Sequence, residues 1–131
     1  MTIDPSRYAE LFRTESREQL AAINRALLAL EQGGDSAESV SAIFRAVHTV
    51  KGMSATMGYH AVAEFAHETE SLLDRLRRGE QALTAPLMDA LFACADALES
   101  ALDSASERAE RSPAMVAALK RLHDSAGVRP T

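Results

Sequence analysis

Hydrophobic side chains recur every three or four positions along most of this 131-residue chain. That spacing places them on one face of an α-helix, and no stretch alternates with the two-residue period of a strand. Prolines, capping residues and glycines divide the pattern into five predicted helices. The helices begin at Pro5, after Asp35, near His60, after Thr84 and at Pro113, and the first three end at Gly33-Gly34, Gly58 and Gly79.

Each long predicted helix carries one hydrophobic stripe. The inward positions are Tyr8, Phe12, Leu20, Ile23, Leu27 and Leu30 in the first helix, Val40, Ile43, Phe44, Val47 and Val50 in the second, and Leu87, Leu91, Cys94, Leu98 and Leu102 in the fourth. Four long amphipathic helices with short connections bury such stripes best in a bundle. The sequence therefore predicts an all-α fold, an antiparallel four-helix bundle with an additional short C-terminal helix. We expect residues 1–131 to form a single domain, with residues 127–131 as a frayed tail or the start of a linker.

The composition excludes several classes of protein. A net charge of -5 argues against nucleic-acid binding, because phosphate backbones require clustered lysine and arginine. No apolar run is long enough to span a bilayer, and the first residues lack a basic-then-apolar signal peptide. Cys94 is the single cysteine, so the chain has no internal disulfide framework and a reducing compartment is its natural setting. We expect a cytoplasmic domain that does not insert into a membrane.

Five residues around the second predicted turn interrupt this pattern. His48, Lys51 and Gly52 precede the turn, and His67 and Glu70 follow it. In a symmetric antiparallel hairpin centred on residue 59, residues equally distant from the centre lie at the same height. His48 and Glu70 are each 11 residues from the centre, and Lys51 and His67 are each 8. The sequence thus predicts two pairs of facing polar residues, His48 with Glu70 and Lys51 with His67. The two pairs are about 4.5 Å apart along the helix axis.

These residue types form a plausible activated nucleophile. A neutral imidazole has one protonated nitrogen and one lone pair, so a hydrogen bond to Glu70 fixes the tautomer of His48 and aims the lone pair outward. This is the relation between a nucleophile and its orienting group in covalent catalysis. Lys51 is placed to offset the negative charge of an incoming phosphoryl group, and His67 can donate a hydrogen bond as well. We therefore predict that His48 carries a phosphoryl group.

The rim of this site is predicted from its neighbours. Gly52 follows His48 by four residues on the same helical face. Glycine within a helix costs roughly 1 kcal/mol relative to alanine, so its presence indicates room for the backbone of a docking partner. Thr49 and Ser54 are expected to line the same rim.

The motif His48-x-x-Lys51-Gly52, with Gly58 downstream and the segment AHETESLLDRLRRGE on the next helix, resembles the histidine phosphotransfer (HPt) domain family. The flanking segment IFRAVHTVKG is similar, more narrowly, to the N-terminal phosphotransfer domains of CheA-type chemotaxis histidine kinases. The resemblance covers the whole chain. Met53 departs from the family pattern, which often has a small residue after the lysine-glycine pair.

The resemblance also implies roles and partners. His48 would be the phosphoacceptor, at Nε2, with Glu70 hydrogen-bonded to Nδ1 and with Lys51 and His67 around the phosphate. The phosphoryl group would come in trans from ATP and Mg²⁺ on a separate kinase catalytic domain and pass to an aspartate of a response regulator receiver domain. We expect the domain to be monomeric, to hold no cofactor and not to be an enzyme on its own. The full-length kinase would be a transferase.

Three alternatives remain open from the sequence. A metal site could use His48, His67 and Glu70 as ligands, although Lys51 would repel a cation and no matching acids are evident on the first and fourth helices. A pure interaction bundle would use the polar cluster only for docking. The third alternative keeps the phosphotransfer chemistry in a free-standing relay protein, or in the phosphotransfer module of a hybrid or pilus-motility kinase.

Overall fold

The fold is entirely helical in the part of the chain that the structure describes, residues 5–103 and 112–127. The structure is a computed structural model, and side chains are described from residue 7 onward. The helices are α1 (Pro5–Glu31), α2 (Ser36–Thr56), α3 (His60–Arg77), α4 (Ala85–Asp103) and α5 (Pro113–Ser125). None of them is long and apolar enough to cross a membrane. Residues 128–131 of the predicted tail lie outside the described residues.

Helices α1 to α4 form a bundle around one hydrophobic core. α1 packs on α2 and α4, and α3 packs on the same two helices, so the four helices close a ring. α5 lies outside this ring, against α4 and α3. The largest fully buried side chains include Leu27, Ile43, Phe65, Leu73 and Leu87, one or more from each of the four helices. The predicted four-helix bundle with an additional C-terminal helix is confirmed.

Side-chain caps begin three of the helices where the sequence predicted them. In each case an oxygen accepts a hydrogen bond from the backbone N–H three residues on, which satisfies a group that the helix itself leaves unpaired. The pairs are Asp35 with Glu38 at 3.1 Å, Thr84 with Leu87 at 3.2 Å, and Ser112 with Met115 at 3.2 Å.

The turn between α2 and α3 fixes the register of the hairpin that they form. Gly58 has a φ of 78°, which a residue with a side chain adopts only at a steric cost. Its N–H donates to the Ala55 carbonyl at 3.1 Å, and the Tyr59 N–H donates to the Ser54 carbonyl at 2.9 Å. These two bonds make a Schellman motif, which ends α2 and returns the chain directly into α3. The height at which residues of α2 and α3 face each other follows from this turn.

Tyr8 was predicted to point into the core, and this prediction is wrong. The side chain is 46% exposed, whereas Phe12, one turn further along α1, is 5% exposed. Phe12 packs edge-on against Tyr59, with ring centroids 5.0 Å apart. The α2–α3 turn thus covers Phe12, while Tyr8 lies one helical turn nearer the N-terminus and stays on the surface.

Cys94 is a core residue, as its place in the hydrophobic stripe of α4 predicted. It is 2% exposed, and its Sγ lies 3.8 Å from the Ala118 carbonyl oxygen. Burial raises the pKa of the Cys94 thiol to about 12. A buried thiol that stays protonated is a poor nucleophile, so Cys94 helps to pack α5 onto the bundle.

Candidate functional site

His48 and Glu70 face each other across the α2–α3 hairpin. Glu70 Oε2 lies 3.1 Å from His48 Nδ1, so the hairpin brings together the two residues that the sequence register places at one height. The His48 side chain is 60% exposed, whereas that of Glu70 is only 14% exposed. The imidazole is therefore open to a partner, while the carboxylate beside it is largely screened from solvent.

This contact determines which nitrogen of a neutral His48 is free. An ionised carboxylate can only accept a hydrogen bond, so Nδ1 must carry the proton that it donates to Glu70. The lone pair then lies on Nε2, the ring nitrogen farther from the α2 backbone. Nothing within residues 5–103 and 112–127 forms a hydrogen bond to Nε2. The geometry therefore presents Nε2 as an unengaged, outward-facing nucleophile.

Lys51 holds the same carboxylate from the next turn of α2. Its Nζ lies 3.1 Å from Glu70 Oε1 and 2.9 Å from Glu70 Oε2. The sequence register places Lys51 level with His67, but its flexible stem carries the ammonium across to Glu70. Sequence reasoning missed this contact, because residue spacing fixes the height of a Cα atom and not the reach of a long side chain. Both oxygens of Glu70 are engaged as a result.

The ionisation of Glu70 reflects these neighbours. Burial of the carboxyl group by itself raises its pKa, because it disfavours the charged form. The hydrogen bonds and the positive charge supplied by Lys51 and His48 outweigh burial, so the pKa of Glu70 lies below its ordinary value of 4.5. Glu70 is thus an anion at neutral pH, as its role as an acceptor for His48 requires.

Replacing Glu70 by glutamine should therefore make the thermal stability of the domain less dependent on pH in the acidic range. The folded state depresses the pKa of Glu70, so this group stabilises the fold above pH 4.5, and its contribution is lost as the pH falls through the lowered pKa. We expect wild type to melt above Glu70→Gln at pH 7, and the difference to shrink as the pH falls below 4.5 through the lowered pKa of Glu70. Thermal unfolding across this range measures the difference, with Glu99→Gln on α4 as the control. A difference in melting temperature that did not shrink below pH 4.5 would contradict this assignment.

His67 lies beside this group on the outer face of α3. It is exposed, and it lines an open surface depression together with Lys51 and Gly52. The structure thus brings His48, Lys51 and Glu70 together by direct contacts and places His67 in the adjoining depression. A role for His67 toward a phosphoryl group stays a prediction.

Of the predicted rim residues, two lie at the surface and one does not. Gly52 is exposed, and a Cβ added to it would meet no atom within 4 Å, so nothing inside the fold requires glycine there. Thr49 is exposed and its Oγ1 donates to the Arg45 carbonyl at 2.9 Å. The prediction for Ser54 is wrong, because it is 0% exposed. Ser54 follows Val47 by seven residues, so it continues the buried stripe of α2 rather than the face of His48.

An apolar groove adjoins the site on the side of α1. Its hydrophobic lining comes from both helices, namely Tyr8, Leu11 and Phe12 of α1 and Met53 and Met57 of α2. Gly52 lines both this groove and the depression that contains His67. Leu11 is 59% exposed. An exposed apolar groove rimmed by polar residues is a candidate surface for binding a partner.

Phe44 is a further neighbour of His48 that sequence reasoning assigned only to the hydrophobic stripe. It precedes His48 by one turn of α2, and the two rings are stacked, with an interplanar angle of 10° and centroids 6.2 Å apart. The guanidinium carbon of Arg77 lies over the Phe44 ring, 4.2 Å from its centroid. The spacing of four residues between Phe44 and His48 was the available signal, because side chains at i and i+4 meet on a helix.

The metal alternative lacks its ligand set in the part of the chain that the structure describes. No three histidine, cysteine, aspartate or glutamate side chains there come close enough to hold a metal ion. His48, His67 and Glu70, the three ligands that this alternative needs, are therefore not arranged as a metal site.

A helical bundle that presents an exposed histidine, held by a screened carboxylate on the neighbouring helix, has the design of a phosphotransfer module. The profile of the Hpt domain family matches residues 7–127. The chain belongs to this family. It is 42% identical over 102 residues, 78% of its length, to the chemotaxis protein CheA of Bacillus subtilis (strain 168). It spans only about 15% of the length of that relative.

Two solved structures are similar to this fold. One is the phosphorylated P1 domain of CheA3 in complex with CheY6 from R. sphaeroides, with a TM-score of 0.82 and 29% identity over 90% of this chain and 94% of that one. The other is the solution structure of the histidine phosphotransfer domain of CheA, with a TM-score of 0.77 and 29% identity over 95% and 96% of the two chains. Both likenesses extend over nearly the whole bundle.

Proposed function

We propose that this chain is the phosphoacceptor domain of a CheA-type two-component histidine kinase, with His48 as the residue that carries the phosphoryl group. The observation that carries the proposal is the contact between Nδ1 of the exposed His48 and the screened carboxylate of Glu70. In the neutral ring this contact places the proton on Nδ1 and the lone pair on Nε2, which faces outward. Membership in the Hpt family and the similarity to CheA proteins support the kinase context.

In the proposed reaction, the Nε2 lone pair of His48 attacks the γ-phosphorus of ATP. The N–P bond forms as the bond between that phosphorus and the bridging oxygen breaks, and ADP leaves. Both ring nitrogens are then substituted, so the imidazole ring carries a positive charge. Glu70 stabilises this charge through the Nδ1 proton, in a site where the donor and acceptor are already aligned. Lys51 keeps the carboxylate in place and supplies a cation close to the transferred group.

ATP and Mg²⁺ would bind to a separate kinase domain. The active site of that domain must come into contact with His48 of this chain. The 60% exposure of His48 supports such a reaction in trans, since the imidazole has to enter the active site of another domain. We assign this chain no cofactor and no kinase activity of its own. The transferase activity would belong to the full-length protein, which we expect to act in the cytoplasm.

The second half of the proposed function is transfer to an aspartate of a response regulator. The carboxylate of that aspartate attacks the phosphorus, the N–P bond breaks, and the lone pair returns to Nε2. The similar P1 domain of CheA3 was solved in complex with CheY6, and this supports the same class of partner here. We place the docking surface over Gly52 and the apolar groove, with Thr49 at its rim. At Gly52 the absence of a side chain lets a partner backbone approach closely.

Intact mass after incubation with ATP, Mg²⁺ and a chemotaxis kinase core that lacks its own phosphotransfer domain tests this function. We expect an acid-labile gain of one phosphoryl group, which is lost again when a receiver domain with its aspartate intact is added. A receiver domain with that aspartate replaced by asparagine is the matched control and should leave the phosphoryl group in place. If the chain gained no mass from a kinase core that phosphorylates its own domain, the proposal would fail.

A further inference from the structure

Phe44 lies one turn before His48 on α2, on the side away from Lys51, and Arg77 of α3 lies over its ring. Phe44 is partly buried against the hydrophobic core, and its ring is stacked with the His48 imidazole at an interplanar angle of 10°. Arg77, near the end of α3, places its guanidinium carbon 4.2 Å from the centroid of the Phe44 ring. Neither residue belongs to the hydrogen-bonded group of His48, Lys51 and Glu70.

One hydrogen bond does not determine the orientation of a histidine ring. The His48 side chain has two torsions, and the contact between Nδ1 and Glu70 restrains one distance, 3.1 Å, to a carboxylate that can itself rotate. The two torsions can still change together while this distance is kept, and such a change alters the direction of the Nε2 lone pair. A nucleophile reacts fastest when its lone pair points at the reacting atom, so the remaining freedom slows the reaction. A flat neighbour parallel to the imidazole, with its centroid 6.2 Å away, limits this freedom.

The Phe44 ring is itself restrained by Arg77. A guanidinium over an aromatic face is attracted by the negative charge density of the ring. Arg77 is oriented in turn by Asp74, whose Oδ1 lies 2.6 Å from Arg77 Nη2. Asp74 also pairs with Arg78, at 3.1 Å. A chain of contacts therefore runs from the C-terminal turn of α3 through Phe44 to the ring of His48.

We infer that Phe44 is a positioning residue for the phosphotransfer reaction, and that Arg77 holds its ring in place. Glu70 fixes the position of Nδ1, and Phe44 fixes the plane of the imidazole, so the two together aim Nε2 at the incoming phosphorus. This inference rests on the proposed function, because it concerns the reactivity of His48 as a phosphoacceptor.

The test uses two phosphoryl donors and a set of substitutions. Phosphoramidate is a small donor that needs no docking surface, since Nε2 attacks its phosphorus, the P–N bond breaks and ammonia leaves. The other donor is ATP with the kinase core. Phe44→Leu keeps an apolar side chain but removes the flat ring, and Phe44→Tyr keeps the ring. Phe92→Leu is the matched control, because Phe92 is also a partly buried phenylalanine packed on the core, but on α4.

We expect Phe44→Leu to be phosphorylated roughly three- to tenfold more slowly with both donors, the range expected when one restrained side chain becomes free. Phe44→Tyr and Phe92→Leu should react at the wild-type rate, and Arg77→Gln should show a smaller slowing than Phe44→Leu. In proton NMR spectra, the ring protons of His48 should shift in Phe44→Leu and not in Phe44→Tyr, because only leucine removes the ring current.

Other outcomes would overturn the inference in distinguishable ways. A wild-type rate for Phe44→Leu with phosphoramidate would show that the stacking has no effect on reactivity. Slowing with the kinase core alone would make Phe44 a docking residue, and equal slowing in Phe92→Leu would indicate a general loss of packing. A wild-type rate for Arg77→Gln would show that Arg77 is not needed to hold the Phe44 ring in place. If wild type took a phosphoryl group from neither donor, the proposed function itself would fail, whatever the variants did.

Discussion

Replacing His48 by glutamine should abolish phosphorylation of the domain while leaving it folded. Glutamine has a similar polarity and reach, but its amide nitrogen has no available lone pair and cannot attack phosphorus. The His48 side chain is 60% exposed, so its replacement removes little packing, and surface substitutions of this kind usually change stability by less than about 0.5 kcal/mol. Intact mass after reaction with ATP and a kinase core should show one phosphoryl group on wild type and none on His48→Gln, with matching thermal melts.

The chain supplies its own controls for this substitution, because it has four histidines. His60 and His123 are exposed on α3 and α5, outside the group around Glu70, so glutamine at either position should leave the rate unchanged. His67→Gln should still be phosphorylated, although more slowly if His67 assists the incoming phosphoryl group. Incorporation that persisted in His48→Gln and disappeared in His67→Gln would move the acceptor to His67. Incorporation in every single variant would exclude one dedicated histidine.

The helices and the register of the α2–α3 hairpin could be predicted because both depend on local chemistry. Asp35 and Gly58 set the limits of α2 through hydrogen bonds to their own neighbours in sequence. Once the turn is placed, the heights of His48 and Glu70 follow from the rise per residue of two antiparallel helices. A contact between residues 22 apart in sequence was therefore accessible from spacing alone.

The remaining features depend on tertiary packing and on side-chain conformation, which spacing does not determine. Lys51 was placed by the height of its backbone, but its long stem reaches Glu70 instead. Tyr8 continues the stripe of α1 and is nevertheless exposed, because whether a stripe residue is buried depends on what the neighbouring helices cover. The stack of Phe44 with His48 joins an apolar and a polar residue, and a classification of positions into those two groups separates them.

Removing the carboxylate of Glu70 should produce the second-largest loss of phosphorylation. Without Glu70, Nδ1 of His48 loses its acceptor, and the neutral ring can place its proton on either nitrogen. The positive charge that develops on the ring during attack also loses its partner. A hydrogen bond to a charged group contributes about 1.5–3 kcal/mol, so we expect Glu70→Ala to be phosphorylated about ten- to a hundredfold more slowly.

Glu70→Gln separates the two contributions of this residue. Its amide oxygen can still accept a hydrogen bond from Nδ1, but it has no negative charge to stabilise the phosphorylated ring. We therefore expect Glu70→Gln to react at a rate between those of wild type and Glu70→Ala. Glu99→Ala, which removes an exposed acid from α4, is the control for the change in net charge and should react like wild type.

Phosphoramidate is the decisive donor for this comparison, because it requires no docking. If Glu70 orients His48, the order wild type, Glu70→Gln, Glu70→Ala should hold with phosphoramidate as well as with the kinase core. Nitrogen NMR of the His48 ring should show Nδ1 protonated in wild type and a mixture of tautomers in Glu70→Ala. A wild-type rate for Glu70→Ala with phosphoramidate would disprove the orienting role, and His48 would then owe its reactivity to exposure alone.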